Sequence, residues 1–240
     1  MRSTRQQLAV LTSFVLAVVV CAAAAVAQAP ALDPSTVQKP QPTVPEVFTI
    51  QGQFVRVAYN NEGYVTLGYK LANDSVGEDW MYLQAGITLR KGTAPFSLTR
   101  EGISIKTPDG KEIPLATQKE YAAAGYLRAL NARGKVTKDP LNYFPVDATS
   151  ACTMSFFADL GGGPGKMSYD QVELNYSRAC VGRLFFKVPG GIQTGQHWLV
   201  AKFASSEVHV PFRILTKEEE KFLRKNWEDL DKALREGVVD

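Results

Sequence analysis

Residues 54–71 read FVRVAYNNEGYVTLGYKL, and this stretch decides the class of the fold. Branched and aromatic residues alternate with polar ones in both halves, a pattern typical of strands that bury one face. Between the halves, residues 60–63 read NNEG, which is a turn composition. The stretch therefore predicts two neighbouring strands, over 54–59 and 64–71, joined by a tight turn.

Similar strand-like segments recur along most of the chain. Further strands are predicted at 47–50, 80–90, 103–105, 113–115, 152–160, 172–176, 181–188, 196–203 and 207–215. Thr117 and Glu120 have capping-box spacing, and they open an alanine- and leucine-rich stretch that predicts a helix as far as Ala132, stopping at Gly134. We therefore expect one mainly β domain over 46–215, an antiparallel β-sandwich with an inserted helix.

Residues 216–240 are predicted to form a C-terminal amphipathic helix. Thr216 and Glu219 repeat the capping-box spacing. The apolar residues of the helix fall at i, i+4, i+7 and i+11 and form one stripe: Leu223, Trp227, Leu230 and Leu234. This stripe is the candidate partner-binding surface. It would either dock on the domain itself or insert into a groove of a partner, and self-docking is favoured because short helices rarely persist alone in water.

The first 27 residues have the three parts of a secretory signal peptide. Arg2 and Arg5 give a positive start, residues 8–27 are almost entirely apolar, and residues 25–27 read AVA, the small residues that signal peptidase needs. We expect cleavage before Gln28, with a retained membrane anchor as the alternative, because about twenty apolar residues can also span a bilayer. The chain is therefore expected to be exported, to the periplasm or beyond the cell, and to touch a membrane only if this segment is kept.

The segment that follows the leader has a different composition. Residues 28–45 contain five prolines and few large apolar side chains. Such a composition predicts a semi-extended polyproline tether, which would hold the domain clear of the membrane or the export machinery.

Two cysteines, Cys152 and Cys180, remain once the leader with Cys21 is removed. An even number of cysteines in an exported protein most simply forms one disulfide bond. Each of the two lies beside an apolar run, so the bond is expected to join two strands, or a strand and an ordered loop. A redox or metal-binding pair is the alternative, but the two cysteines lack Cys-x-x-Cys spacing.

Two short stretches resemble a known kind of domain. Residues 195–199 read GQHWL, and residues 208–214 read VHVPFRI. Together they resemble the last two strands of bacterial exported immunoglobulin-like sandwich domains, and the chain from 64 to 110 resembles the front of such a domain. His197 stands where these domains often carry tyrosine, and the inserted helix is a second departure. The resemblance implies an immunoglobulin-like fold and suggests a binding or accessory module.

No catalytic constellation stands out among the titratable residues. His197 shares a predicted strand face with Leu199, so it is expected to be partly buried and hydrogen-bonded, whereas His209 is expected to face solvent. Residues 73–79 read NDSVGED and leave calcium binding as an alternative to a solvated turn. The net charge is +3 with two arginines in the leader, which gives no basic field for nucleic acid. We therefore expect a protein that is not an enzyme and has no cofactor or metal.

Two functions follow from these observations. The favoured one is a non-catalytic interaction or accessory module, which binds another envelope protein. The alternative is a sandwich that binds a small ligand or a glycan, suggested by the long loop over 138–150. For a glycan, an aromatic platform of Trp80, Tyr82, Tyr143 and Phe144 is the candidate surface.

Overall fold

The computed structural model describes residues 46–158 and 167–236, so the predicted leader and tether lie outside the described residues. The described chain is mainly β, as expected. Its strands are β1 Val47–Gly52, β2 Val55–Tyr59, β3 Gly63–Gly68, β4 Trp80–Leu89, β5 Phe96–Thr99, β6 Ile103–Lys106, β7 Glu112–Pro114, β8 Ser150–Met154, β9 Gln171–Leu174, β10 Arg178–Lys187, β11 Gly195–Lys202 and β12 Glu207–Ile214. Its helices are α1 Lys70–Asn73, α2 Gln118–Ala123, α3 Leu127–Val136 and α4 Lys217–Glu236.

The strands form two larger sheets and one small one. A six-stranded sheet has the order β1-β2-β3-β4-β10-β8, and a four-stranded sheet has the order β12-β11-β6-β7. All neighbours are antiparallel except β8 and β10, which are parallel. Strands β5 and β9 pair separately with each other. Residues of both larger sheets meet in one apolar core, for example Leu67 and Ile87 from one sheet and Leu199 from the other.

The predicted hairpin at 54–71 is confirmed at its centre. Val55 to Tyr59 pairs with Tyr64 to Gly68, and the turn is held by Asn60, whose side-chain oxygen accepts the N–H groups of Glu62 and Gly63 at 2.8 Å. The second strand ends earlier than predicted, because Lys70 to Asn73 turns into α1. Tyr69 and Leu71 were expected in the strand. Tyr69 instead lies directly before α1 and Leu71 lies within it, and both side chains are buried in the core.

The inserted helix is two helices rather than one. The predicted capping box of Thr117 and Glu120 is present, with both reciprocal hydrogen bonds. However, α2 ends at Ala123, Ala124 has an extended backbone, and α3 then runs past Gly134 to Val136. The break allows both Tyr121 and Leu127 to be fully buried. Gly134 is therefore not a helix end; it lies against the ring of Tyr82, where an added Cβ would come within 2.7 Å of the ring.

The predicted disulfide bond is confirmed. Cys152 in β8 and Cys180 in β10 face each other directly in the parallel pair and are bonded. Strand β8 is an edge strand, and β10 lies inside the sheet. The bond therefore fastens the edge of the six-stranded sheet to its interior.

Arg100 is a buried charge that ties three segments together. It opens the short 3-10 turn before β6, and its guanidinium donates to the carbonyl oxygens of Ala116, at 2.6 Å, and of Phe156. Its Nε also lies 3.4 Å from a carboxylate oxygen of Asp170. The guanidinium stacks within 4.8 Å of the ring centre of Phe157. A buried cation is tolerated here because protein acceptors replace its water.

Candidate functional site

The C-terminal helix α4 begins at a well-formed cap. The backbone N–H of Thr216 donates to the carboxylate of Glu219 at 2.9 Å, and the N–H of Glu219 donates back to the Thr216 hydroxyl at 3.2 Å. The bond from the Thr216 N–H to the carboxylate, with the guanidinium of Arg213 at 2.7 Å, lowers the pKa of Glu219. The helix is also anchored to the domain where it leaves β12, because the N–H of Leu215 donates to Asn73 Oδ1 at 2.7 Å. The start of α4 is therefore fixed relative to the sheets.

The apolar stripe of α4 is only partly covered. Leu223 and Trp227, near the anchored end, are half-buried. Leu230 and Leu234 are 37% and 42% exposed, and Phe222 beside the stripe is 64% exposed. The self-docking that the sequence favours is therefore not found for the C-terminal half of the stripe. Phe222 was missed because it lies outside the i, i+4, i+7 spacing, although its place beside Leu223 would have signalled it.

Both histidines are buried, and this corrects the prediction for His209. His197 is confirmed as buried and hydrogen-bonded, since its Nδ1 donates to the carbonyl of Gly195 at 3.1 Å. His209 does lie on the opposite face of its sheet, but it is only 4% exposed. It stands directly opposite the buried Val200, and its Nε2 lies 2.8 Å from Glu207 Oε1. Burial lowers the pKa of both imidazoles, which favours their neutral forms.

The long loop between α3 and β8, residues 137–149, lies on the outer face of the six-stranded sheet. Two glycines make room for it. The ring of Phe144 occupies the space of a side chain at Gly86, and Asp139 does the same at Gly68, because an added Cβ would come within 2.4 Å and 2.5 Å of them. The hydroxyl of Tyr143 donates to the carbonyl of Gln51 at 3.1 Å. The loop is thus held along the sheet as a cover.

Asp139 is the most perturbed carboxyl group in this loop. Its Oδ2 accepts the backbone N–H of Lys70, the first residue of α1, at 3.1 Å. Its own N–H donates to the side chain of Gln84 at 3.0 Å. Burial raises the pKa of Asp139 to about 6, against the opposing effects of the Lys70 N–H and charge. The carboxyl group of Asp139 therefore links the loop to the start of α1.

The other candidate ligand sites are occupied by contacts within the chain. Trp80 and Tyr82 are buried in the core, so the four aromatic residues do not form one exposed platform. In the 73–79 segment, Asn73 is used by Leu215, Asp74 pairs with Lys70 at 3.2 Å, and Glu78 pairs with Arg133 at 3.2 Å. Within residues 46–158 and 167–236, no cluster of three or more His, Cys, Asp or Glu side chains could hold a metal ion.

Comparison of the chain with protein-family models, curated proteins and solved structures found no match. Among the helices that the structure describes, none is long and apolar enough to cross a bilayer.

Proposed function

We propose that this chain is an exported, non-catalytic interaction module that binds another envelope protein through α4. The observation that carries the proposal is the partly uncovered stripe of Leu223, Trp227, Leu230 and Leu234 on a capped and anchored helix. A helix in a folded protein gains most of its stability from tertiary packing of its apolar face. Exposed leucines on this helix are therefore best explained by a surface that a partner covers.

The rest of the chain supports this proposal as a scaffold. The two larger sheets, antiparallel apart from the pair β8 and β10, share one core, which agrees with an immunoglobulin-like sandwich, a fold that hosts many functions. The disulfide bond agrees with an oxidising compartment, and we propose the periplasm. In this proposal residues 1–27 are the export signal, and residues 28–45 tether the domain.

The composition of the stripe favours a groove of a different protein over a second copy of α4. The spacing 223, 227, 230 and 234 also fits a heptad seam, but Trp227 would lie at its centre. Two-stranded seams favour Leu and β-branched residues at such positions, whereas a large aromatic anchor suits a preformed pocket. The partner is therefore proposed to offer an apolar groove, with a pocket for the indole of Trp227.

The test uses a photo-crosslinking amino acid in intact cells that express the full chain. Placed at Leu230, on the stripe, it should give one dominant product with another envelope protein. Placed at Lys225, on the opposite side of α4, it should give much less. Leu234→Asp should abolish the product at position 230, while Lys221→Asp, the matched control, should leave it intact.

Two results would overturn the proposal. The first is equal crosslinking from positions 230 and 225, which would show that the stripe is not the contact. The second is a large fall in the melting temperature of Leu230→Asp, without loss of the crosslink in Leu234→Asp. That combination would make the stripe part of the domain's own packing.

Export is tested separately by sequencing the mature N-terminus, where a first residue other than Gln28 would contradict the proposed cleavage.

A further inference from the structure

Strand β1 is an exposed, uncharged edge of the six-stranded sheet. Within the described residues it pairs only with β2. Its sequence, Val47 to Gly52, is VFTIQG and carries no charged side chain. Phe48 is 59% exposed and Ile50 is 41% exposed, and their side chains lie on the same face of the strand. Natural edge strands are usually protected from pairing with other chains by charges, prolines or bulges.

Two other sheet edges show this protection. Strand β12 contains Pro211, which has no N–H to offer, and the N–H of His209 is taken by the carboxylate of Glu46 at 2.9 Å. Strand β7 has only three residues and ends in Pro114. Strand β1 has a register shift only near its end, between Ile50 and Gly52. Its first four residues therefore form a regular edge that is open to strand addition.

We propose that β1 pairs antiparallel with β1 of a second copy of this chain, about a two-fold axis at Thr49. In this register Thr49 faces Thr49 of the second copy. Phe48 faces Ile50 of the second copy, and Ile50 faces its Phe48. The four exposed apolar side chains then lie together on one face of a continuous sheet.

The self-complementary pattern of β1 points to a second copy as the occupant. In the two-fold register the exposed Phe48 faces the exposed Ile50 of the second copy, and no like charges meet across the axis. Glu46, the nearest acidic residue, is turned away because its carboxylate accepts the N–H of His209. The surface is distinct from the α4 stripe, so this inference does not depend on the proposed function.

The experiment is a charge swap at the two-fold axis. The full chain is expressed with its leader, purified from the exporting cells and studied by sedimentation. The unaltered protein should form dimers at about 100 µM. Thr49→Lys and Thr49→Glu should each weaken the dimer by roughly tenfold or more, because like charges then face each other. An equimolar mixture of the two variants should recover the dimer.

Controls keep the test independent of folding and of α4. Each variant should keep the melting temperature of the unaltered protein, because Thr49 lies on an edge strand and is not buried. Leu230→Asp should leave the dimer intact. Thr49→Cys should give a disulfide-linked dimer, whereas Gln51→Cys should not, because Gln51 faces Val47 in this register. A monomer at every concentration, or no recovery in the mixture, would overturn the proposal.

Discussion

Replacing Asp139 with asparagine should stabilise the protein at neutral pH and leave it unchanged in acid. The pKa of Asp139 is raised from 3.8 to about 6 in the folded chain, chiefly by burial. A carboxyl group with a raised folded pKa contributes its full stability below the unfolded pKa, near 4, and loses it as the pH rises through 6. At pH 8 the folded protein therefore holds a carboxylate that the unfolded chain would solvate better.

The size of the effect follows from the shift. About two pKa units correspond to about 3 kcal/mol as an upper bound. Because the side chain of Asp139 is only partly buried, we expect about 1–2 kcal/mol at pH 8. The amide oxygen of asparagine can still accept the N–H of Lys70, so the hydrogen bond itself is kept. The variant and the original protein should then have equal stability near pH 4.

The assay is urea unfolding of both proteins at pH 4 and pH 8, followed by tryptophan fluorescence. Asp147→Asn is the matched control: it changes the same group in the same loop, but Asp147 makes only an exposed ion pair with Lys91 at 3.3 Å. The control should change the free energy of unfolding by less than about 0.5 kcal/mol. A stabilisation by Asp139→Asn that is equal at both pH values, or is absent at pH 8, would refute the argument.

Three further predictions concern the sheets. Replacing both Cys152 and Cys180 with alanine should lower the free energy of unfolding by about 3.5 kcal/mol, from the 28-residue separation; a denaturant midpoint unchanged by reduction would contradict this. Gly86→Ala should displace Phe144 and make residues 140–149 a site of rapid limited proteolysis; cleavage at the original rate would show that the loop is not held there. Arg100→Met should cost about 2–4 kcal/mol in chemical unfolding because it strips buried carbonyls of their donors, and a loss below 1 kcal/mol would show that water replaces the guanidinium.

Local signals in the sequence predicted much of this fold. Alternation along 54–59 and 207–215 predicted strands because one face of each must be buried. The capping boxes at Thr117 and Thr216 depend on residues three positions apart, so they too could be recognised from sequence alone. The cysteine pairing needed only the count of cysteines outside the leader.

Features that depend on distant contacts could not be predicted in this way. Alternation placed His209 on the outer face of its sheet, but its burial depends on neighbours from other strands and on Glu207. Strand β5 was missed because Phe96–Thr99 is only four residues long, too short to show a clear alternation, and its pairing with β9 is not visible locally. The loop over 137–149 looked like the rim of a site, since nothing local reveals that Gly68 and Gly86 provide the space in which it packs.

The pairing of β4 with β10 has a consequence for how the chain reaches its final form. Trp80 to Ile87 pairs with Cys180 to Lys187, so roughly ninety residues must be synthesised between the two partners before either finds the other. Such non-local pairing makes folding slow, because a large loop must close before any contact compensates for its lost entropy. The six-stranded sheet therefore stays incomplete until β10 has been synthesised. Until then β4 has one open edge, which can pair with strands of other chains while the protein is still being made.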